Sequence, residues 1–119
     1  MFSKKMEYGY IILKKLEEIE NGEMRLGKEI LKDTKIPYNM GLGILTELSN
    51  AGLIVSAKGR NGGFFLAKKN NFLDLFIALE ANSKNIVTLI SNNNNSKEYN
   101  EKIQQIGKLV LNELARIEI

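Results

Sequence analysis

The residues best suited to a chemical task are two cations in the segment KGRNGGFF, residues 58–65. Lys58 and Arg60 stand among three glycines and between two apolar runs, so they are predicted to project from the tip of a β-hairpin. From Ile54 to Asn71 the chain has four cations and no acid, whereas the remaining residues hold 13 basic and 14 acidic side chains. Such a local excess of positive charge favours a polyanionic partner, although a solvated hairpin tip carries cations equally often.

Most catalytic and metal chemistry lacks its usual residues in this chain. The absence of cysteine and histidine removes disulfides, thiolate ligands, the commonest general base and the commonest metal ligand. The glycine-rich segment lacks the Lys-Ser/Thr pair of a phosphate-binding loop and precedes a strand. Asp74 and Glu80 are expected to cap or decorate one helix rather than to form an acid–base pair. The sequence therefore predicts a binding protein rather than an enzyme, with no cofactor and no bound metal.

The bulk composition predicts one soluble domain with one appended element. The 119 residues are 44% hydrophobic and 26% charged, with a net charge of +3, which is ordinary for a globular protein. No run approaches the roughly 18 apolar residues of a membrane span. The N-terminal residues continue directly into an amphipathic pattern, so no cleavable signal is predicted. We therefore expect a cytoplasmic protein without a membrane partner.

The periodicity of the apolar residues predicts a mainly α fold with a small β-hairpin. Pro37 separates two short helices, and Asn61-Gly62 is expected to form the hairpin turn because both residues tolerate positive φ. The predicted elements are helices at 2–20, 25–33, 38–50 and 72–81, strands at 54–58 and 63–68, a flexible loop at 82–96 and a long helix at 97–119. Asn21-Gly22 is the predicted stop of the first helix.

Two short helices joined by a tight break and followed by a hairpin are typical of a winged helix-turn-helix domain. In that fold the third helix can enter a DNA major groove while the hairpin, or wing, lies at the backbone or minor groove. The predicted organisation is a DNA-binding domain at 1–81, a loop at 82–96 and a dimerisation helix at 97–119. The candidate DNA-binding residues are Lys4, Lys28, Tyr38, Asn39, Met40, Lys58, Arg60 and Asn61.

Few side chains of the third helix are expected to contact base edges directly. Tyr38 could reach a phosphate and Met40 a thymine methyl, and Asn39 could bond an adenine edge or simply cap the helix. Leu45 and Leu48 are expected in the core. Lys28 and Lys4, near helix starts, are either phosphate contacts or solvated. Much of the sequence preference is therefore expected to come from DNA shape, read by a wing cation in a narrow minor groove.

The segments MFSKKMEYGYIILKKL, AGLIVSAKGRNGGFFLAKK and FLDLFIALE resemble, in order and spacing, the Rrf-type winged-helix transcription regulators, the group of IscR, NsrR and CymR. The resemblance covers about residues 1–81, and the closing helix matches the family's dimerisation helix in position alone. It implies a homodimer that regulates bacterial promoters. Lys58 stands where the family usually has a minor-groove arginine, so Arg60 could take over that role. The cysteines that hold an iron–sulfur cluster in many members are missing, so no cluster is expected.

The last predicted helix carries an apolar stripe that supports dimerisation. Pairing across a two-fold axis would bury such a stripe, which is too apolar for a solitary exposed helix. Its members are Tyr99, Ile103, Ile106, Val110, Leu114 and Ile117. The sequence thus predicts a homodimeric repressor that binds double-stranded DNA, with an unknown effector or protein partner left open. The alternative is a winged-helix module that binds a protein through its apolar third helix.

Overall fold

The computed structural model describes residues 3–19, 23–80 and 97–119. Within these ranges the elements are α1 (Lys4–Glu17), α2 (Gly27–Leu31), α3 (Tyr38–Asn50), β1 (Ile54–Ala57), β2 (Gly63–Leu66), α4 (Phe72–Glu80) and α5 (Lys97–Arg116). The predicted mainly α fold with a small hairpin is confirmed, and most elements end a few residues earlier than predicted. The expected loop at 82–96 and the stop at Asn21-Gly22 lie outside the described residues. In the described part of the chain, no helix is both long and apolar enough to cross a membrane.

The core lies where α1, α3 and α4 face one another. Each of these helices turns an apolar stripe inward, as residues spaced three or four apart along a helix share one face. The side chains that are buried almost completely are Ile12, Leu13, Ile44, Leu45, Leu48, Ile54, Leu75 and Phe76. The expectation that Leu45 and Leu48 belong to the core is confirmed. This packing leaves the opposite side of α3 free to face solvent.

The turn between α2 and α3 is stabilised locally. Asp33 adopts a left-handed conformation with φ of 61°, which aspartate tolerates better than most side chains. The Thr34 hydroxyl donates a hydrogen bond to the Leu31 carbonyl oxygen at 2.6 Å, which satisfies an acceptor at the end of α2. Pro37 then stands at the N-cap of α3. The break predicted at Pro37 is therefore where the helix-turn-helix bends.

The wing is an antiparallel pair whose register runs from Ile54 opposite Leu66 to Ala57 opposite Gly63. A third segment joins it, since the Arg25 amide donates to the Phe64 carbonyl oxygen at 3.1 Å and the Phe64 amide donates to the Arg25 carbonyl oxygen at 2.8 Å. The expectation of positive φ at Asn61-Gly62 is wrong. Positive φ occurs instead at Gly59, with 105°, and at Gly63, with 137°.

Two acidic residues of α4 have structural roles. The Asp74 carboxylate accepts from the Asn71 amide at 2.9 Å, while the Asn71 side chain accepts from the Asp74 amide at 2.9 Å. This reciprocal pair caps the start of α4, as the sequence predicted for Asp74. Glu80 is buried and accepts a hydrogen bond from the Ser3 hydroxyl. The end of α4 is therefore joined to the start of α1.

The apolar stripe of α5 is divided in the structure. Leu114 is 7% exposed and belongs to the core of its own chain, and Val110 packs against that core. By contrast, Tyr99, Ile106 and Ile117 are about half exposed, at 52%, 53% and 50%. Leu109, which is absent from the predicted stripe, is 65% exposed. One edge of α5 thus packs on the domain and another edge presents apolar side chains to solvent.

Candidate nucleic-acid interface

α3 is fixed from three sides by specific close contacts. Gly41 lies so close to α2 that a Cβ there would stand 2.6 Å from Leu31 Cδ1. The Lys5 ammonium donates to Glu47 Oε1 at 2.7 Å, which ties α1 to the inner flank of α3. The Ser49 hydroxyl donates to the Ser56 hydroxyl at 3.1 Å and joins the end of α3 to the wing. The position of α3 relative to the wing is therefore set by packing and hydrogen bonds.

The outward face of α3 is exposed and carries no charge. Asn39, Gly43, Thr46 and Asn50 are all exposed and follow one another at steps of four, three and four residues. This spacing places them on one side of the helix, opposite the buried Gly41, Ile44, Leu45 and Leu48. Of the three residues predicted here, Asn39 lies on this face, while Tyr38 and Met40 are exposed beside it at 52% and 39%.

The sequence interpretation missed the other three members of this face. The signal that could have found Gly43, Thr46 and Asn50 is their helical register with Asn39, directly opposite the apolar stripe. The Thr46 hydroxyl donates to the Leu42 carbonyl oxygen at 3.0 Å, so its donor is already used inside the helix. The face therefore offers two amide side chains, one threonine and one bare backbone position.

A groove of about 670 Å³ separates α3 from the wing. Among its lining residues are Leu26 and Gly27 at the start of α2, Thr46 and Asn50 of α3, and Lys58. The structure thus brings Lys58 next to the outward face of α3. Arg60 and Asn61 are exposed at the tip of the same hairpin. A cation at the edge of a groove with a helix on one wall is suited to a phosphate backbone.

Five cations near α3 form no salt bridge with the acidic side chains that the structure describes. Within residues 3–19, 23–80 and 97–119, no salt bridge involves the five cations of α2, the following turn and the wing tip, namely Lys28, Lys32, Lys35, Lys58 and Arg60. Elsewhere, some lysines pair with nearby carboxylates, as Lys14 does with Glu17 at 3.0 Å. From residue 24 to residue 69 the chain has eight basic and three acidic side chains, so this half of the domain is strongly positive.

Lys4 differs from the other predicted contacts. Its ammonium donates to the Glu7 carboxylate at 3.1 Å, and this hydrogen bond raises the pKa of Lys4 above its ordinary value. It lines a separate surface cavity with Phe72, Leu114 and Ile117. It is not among the residues that line the groove between α3 and the wing. The structure therefore brings Lys58 together with the face that contains Asn39, and leaves Lys4 apart from both.

A helix-turn-helix, an exposed third helix and a basic wing are the features of a winged-helix domain that can contact DNA. Residues 2–118 match the Rrf2 family model, which is described as an iron-dependent transcriptional regulator. The chain belongs to the Rrf2 family of transcription regulators. It is accordingly a DNA-binding transcription regulator and not an enzyme, and the resemblance noted in the sequence is confirmed.

Solved structures show the same fold. CymR (YrzC), the global cysteine regulator of B. subtilis, is 20% identical with a TM-score of 0.75, over 99% of this chain and 92% of that chain. T. potens IscR is 20% identical with a TM-score of 0.70, over 99% of this chain and 82% of that chain. A putative transcriptional regulator from Listeria innocua is 21% identical with a TM-score of 0.70, over 97% and 80%. No curated protein is similar enough in sequence to match the chain.

The family's description mentions iron, but this chain lacks the cysteine and histidine that usually hold an iron–sulfur cluster. There is no cysteine or histidine at any position, and the segment 82–96 has no acidic residue either. In the described ranges, no three acidic side chains lie close enough together to hold a metal ion. Iron–sulfur clusters are held chiefly by thiolates, with imidazole in some centres. The residues present therefore do not fit a cluster.

Proposed function

We propose that this protein binds operator DNA as a homodimer, with α3 in the major groove and the wing at the backbone or minor groove. The observation that carries the proposal is the set of five cations that border α3 without an acidic partner in the described residues. Each cation that neutralises a phosphate releases condensed counterions and so contributes to affinity. Cations already paired with carboxylates would gain less from phosphate.

The predicted contacts divide into two roles. Phosphate contacts position the protein, and they are assigned to Lys28, Tyr38 and the wing-tip residues Lys58, Arg60 and Asn61. Base contacts specify the sequence, and Asn39 at an adenine edge and Met40 at a thymine methyl are assigned to this role. Lys4 contributes least, because Glu7 already offsets its charge.

Dimerisation is supported by the exposed edge of α5. Tyr99, Ile106 and Leu109 of α5, together with Ile117 directly after it, present large apolar side chains to solvent, and a two-fold axis along this edge would bury them from both chains. Ile103 and Val110 are half-buried beside them. A dimer of this kind would place two copies of α3 about one turn of DNA apart, roughly 34 Å. A dimer that covers a promoter would exclude polymerase, so we propose that the protein is a repressor.

Light scattering and DNA titration of the intact protein test this proposal. We expect a dimer at micromolar concentration. We also expect DNA affinity to fall steeply with salt, because each phosphate contact contributes about −0.9 to the slope of log affinity against log salt concentration. A reporter gene behind a bound site should lose expression when the protein is present. A stable monomer would refute the dimer, and increased expression would refute repression.

A second candidate function has its own observation. Leu26, Tyr38 and Met40 expose 40%, 52% and 39% of their surface near the start of α2 and α3. Exposed apolar side chains of this kind suit a protein partner, which is the alternative predicted from the sequence. Under that alternative the intact protein shows no preference among DNA sequences, and substitution of Tyr38 and Met40 by Ser leaves DNA affinity unchanged.

A further inference from the structure

Two glycines near the start of α3 have different structural contexts. Glycine in a helix interior is destabilising relative to alanine, so the presence of glycine at each of these positions needs a structural or functional explanation. Gly41 has one, because a Cβ there would stand 2.6 Å from Leu31 Cδ1 and 3.2 Å from Ile36 Cγ2. At Gly43 a Cβ would meet nothing within 4 Å. The fold of the chain itself therefore does not require Gly43.

Gly43 lies in the middle of the outward face of α3. Asn39 precedes it by one helical turn and Thr46 follows it by one turn, and all three are exposed. A side chain at this position would point away from the core, toward the molecule that α3 contacts. Glycine permits a helix backbone to approach a ligand more closely than any other residue does. A methyl group would hold the helix off by about one C–C bond, roughly 1.5 Å.

We infer that Gly43 is the point of closest approach between α3 and DNA, and that the side chains around it read A·T base pairs in the major groove. This inference rests on the proposed function and adds the reading residues and the base pairs to it. It also adds Thr46 and Asn50 to the contacts predicted from the sequence.

The chemistry of the face selects the base pair. Guanine is usually read by Arg or Lys at its O6 and N7, and neither occurs among Asn39, Gly43, Thr46 and Asn50. Asparagine pairs with N6 and N7 of adenine, and a threonine methyl packs against the thymine methyl. Cytosine is read by a carboxylate, but Glu47 beside this face is held by Lys5 at 2.7 Å. Close approach matters because hydrogen bonds to base edges fail beyond about 3.5 Å.

The test uses a duplex selected from a random library by the intact protein. We expect A·T pairs at the half-site positions under α3. Gly43→Ala should raise the melting temperature of the free protein and weaken binding to the selected duplex by tenfold or more. Its affinity for a random duplex should change by less than threefold, since phosphate contacts by the wing remain. Gly43→Ser should behave in the same way on DNA.

Two control variants separate close approach from changes in helix stability. Asn112→Ala, at an exposed position of α5, raises helix propensity without touching α3 and should leave both affinities unchanged. Gly41→Ala should lower the melting temperature, because its methyl group collides with Leu31. The inference is overturned if Gly43→Ala binds the selected duplex as tightly as the parent, or if the selected positions are G·C. Neither of these two results would contradict the proposed function. The proposed function is overturned if the parent protein fails to select any duplex.

Discussion

Replacement of Lys58 and Arg60 by alanine tests the wing most directly. Both side chains are exposed at the hairpin tip, and neither forms a salt bridge within the described residues. Substitutions of exposed residues that remove no interaction with another residue usually change the free energy of unfolding by at most about 0.5 kcal/mol. We therefore expect the double variant to fold with nearly the parent's stability, so that any loss of affinity reports on DNA contacts.

The size of the effect follows from counting contacts. A dimer loses up to four wing cations, and each phosphate contact contributes about 0.9 to the slope of log affinity against log salt. The slope should therefore flatten by about 2 to 4 units. Relative to 1 M salt, each contact strengthens binding at about 0.15 M by roughly fivefold. Loss of two to four contacts then weakens binding at that salt by about 30- to 1,000-fold.

Fluorescence polarisation on a labelled cognate duplex, over a series of salt concentrations, measures both quantities. The matched control is Lys14→Ala with Lys108→Ala, which removes the same charge from α1 and α5 and leaves the wing intact. The control should keep a slope within about one unit of the parent. The wing assignment is refuted if the wing variant keeps the parent's affinity and slope, or if the control flattens the slope equally.

Three further predictions concern the fold, the dimer and the missing cluster. Gly62→Val should lower both the melting temperature and DNA affinity, because a Cβ there would stand 2.3 Å from the Ala57 carbonyl oxygen; an unchanged melting curve would contradict this. Leu114→Ala should lower the free energy of unfolding, measured by denaturant titration, by about 2 to 5 kcal/mol. Ile106→Lys should leave the domain folded and shift the mass measured by light scattering toward the monomer. An equal loss of stability in both variants would contradict the division of α5 into a buried and an exposed edge. Anaerobically purified protein should show no visible absorbance from iron and sulfide, since the chain lacks thiolates and imidazoles; such absorbance would show that another ligand set holds a cluster.

Local signals in the sequence were sufficient to predict the order and type of the elements. Pro37 marks the start of α3 and Ala51-Gly52 its end, so the predicted bounds of 38–50 agree with Tyr38–Asn50. Pro and Gly act on their own backbone dihedrals, and apolar periodicity acts within one element, so neither depends on distant residues. The basic character of 54–71 and the absence of cluster ligands are likewise properties of composition.

The geometry of the site depended on contacts between segments far apart in the chain. Positive φ lies at Gly59 and Gly63 rather than at Asn61-Gly62, in a wing whose β2 also pairs with Arg25 before α2. Helical register with Asn39 predicts that Gly43 faces outward, but it does not show what a side chain at Gly41 or Gly43 would contact. Only the packing of α2 against α3 shows that a Cβ at Gly41 would collide with Leu31, whereas a Cβ at Gly43 would meet nothing within 4 Å. A helix has many faces of similar propensity, and tertiary contacts decide which face remains free for a partner.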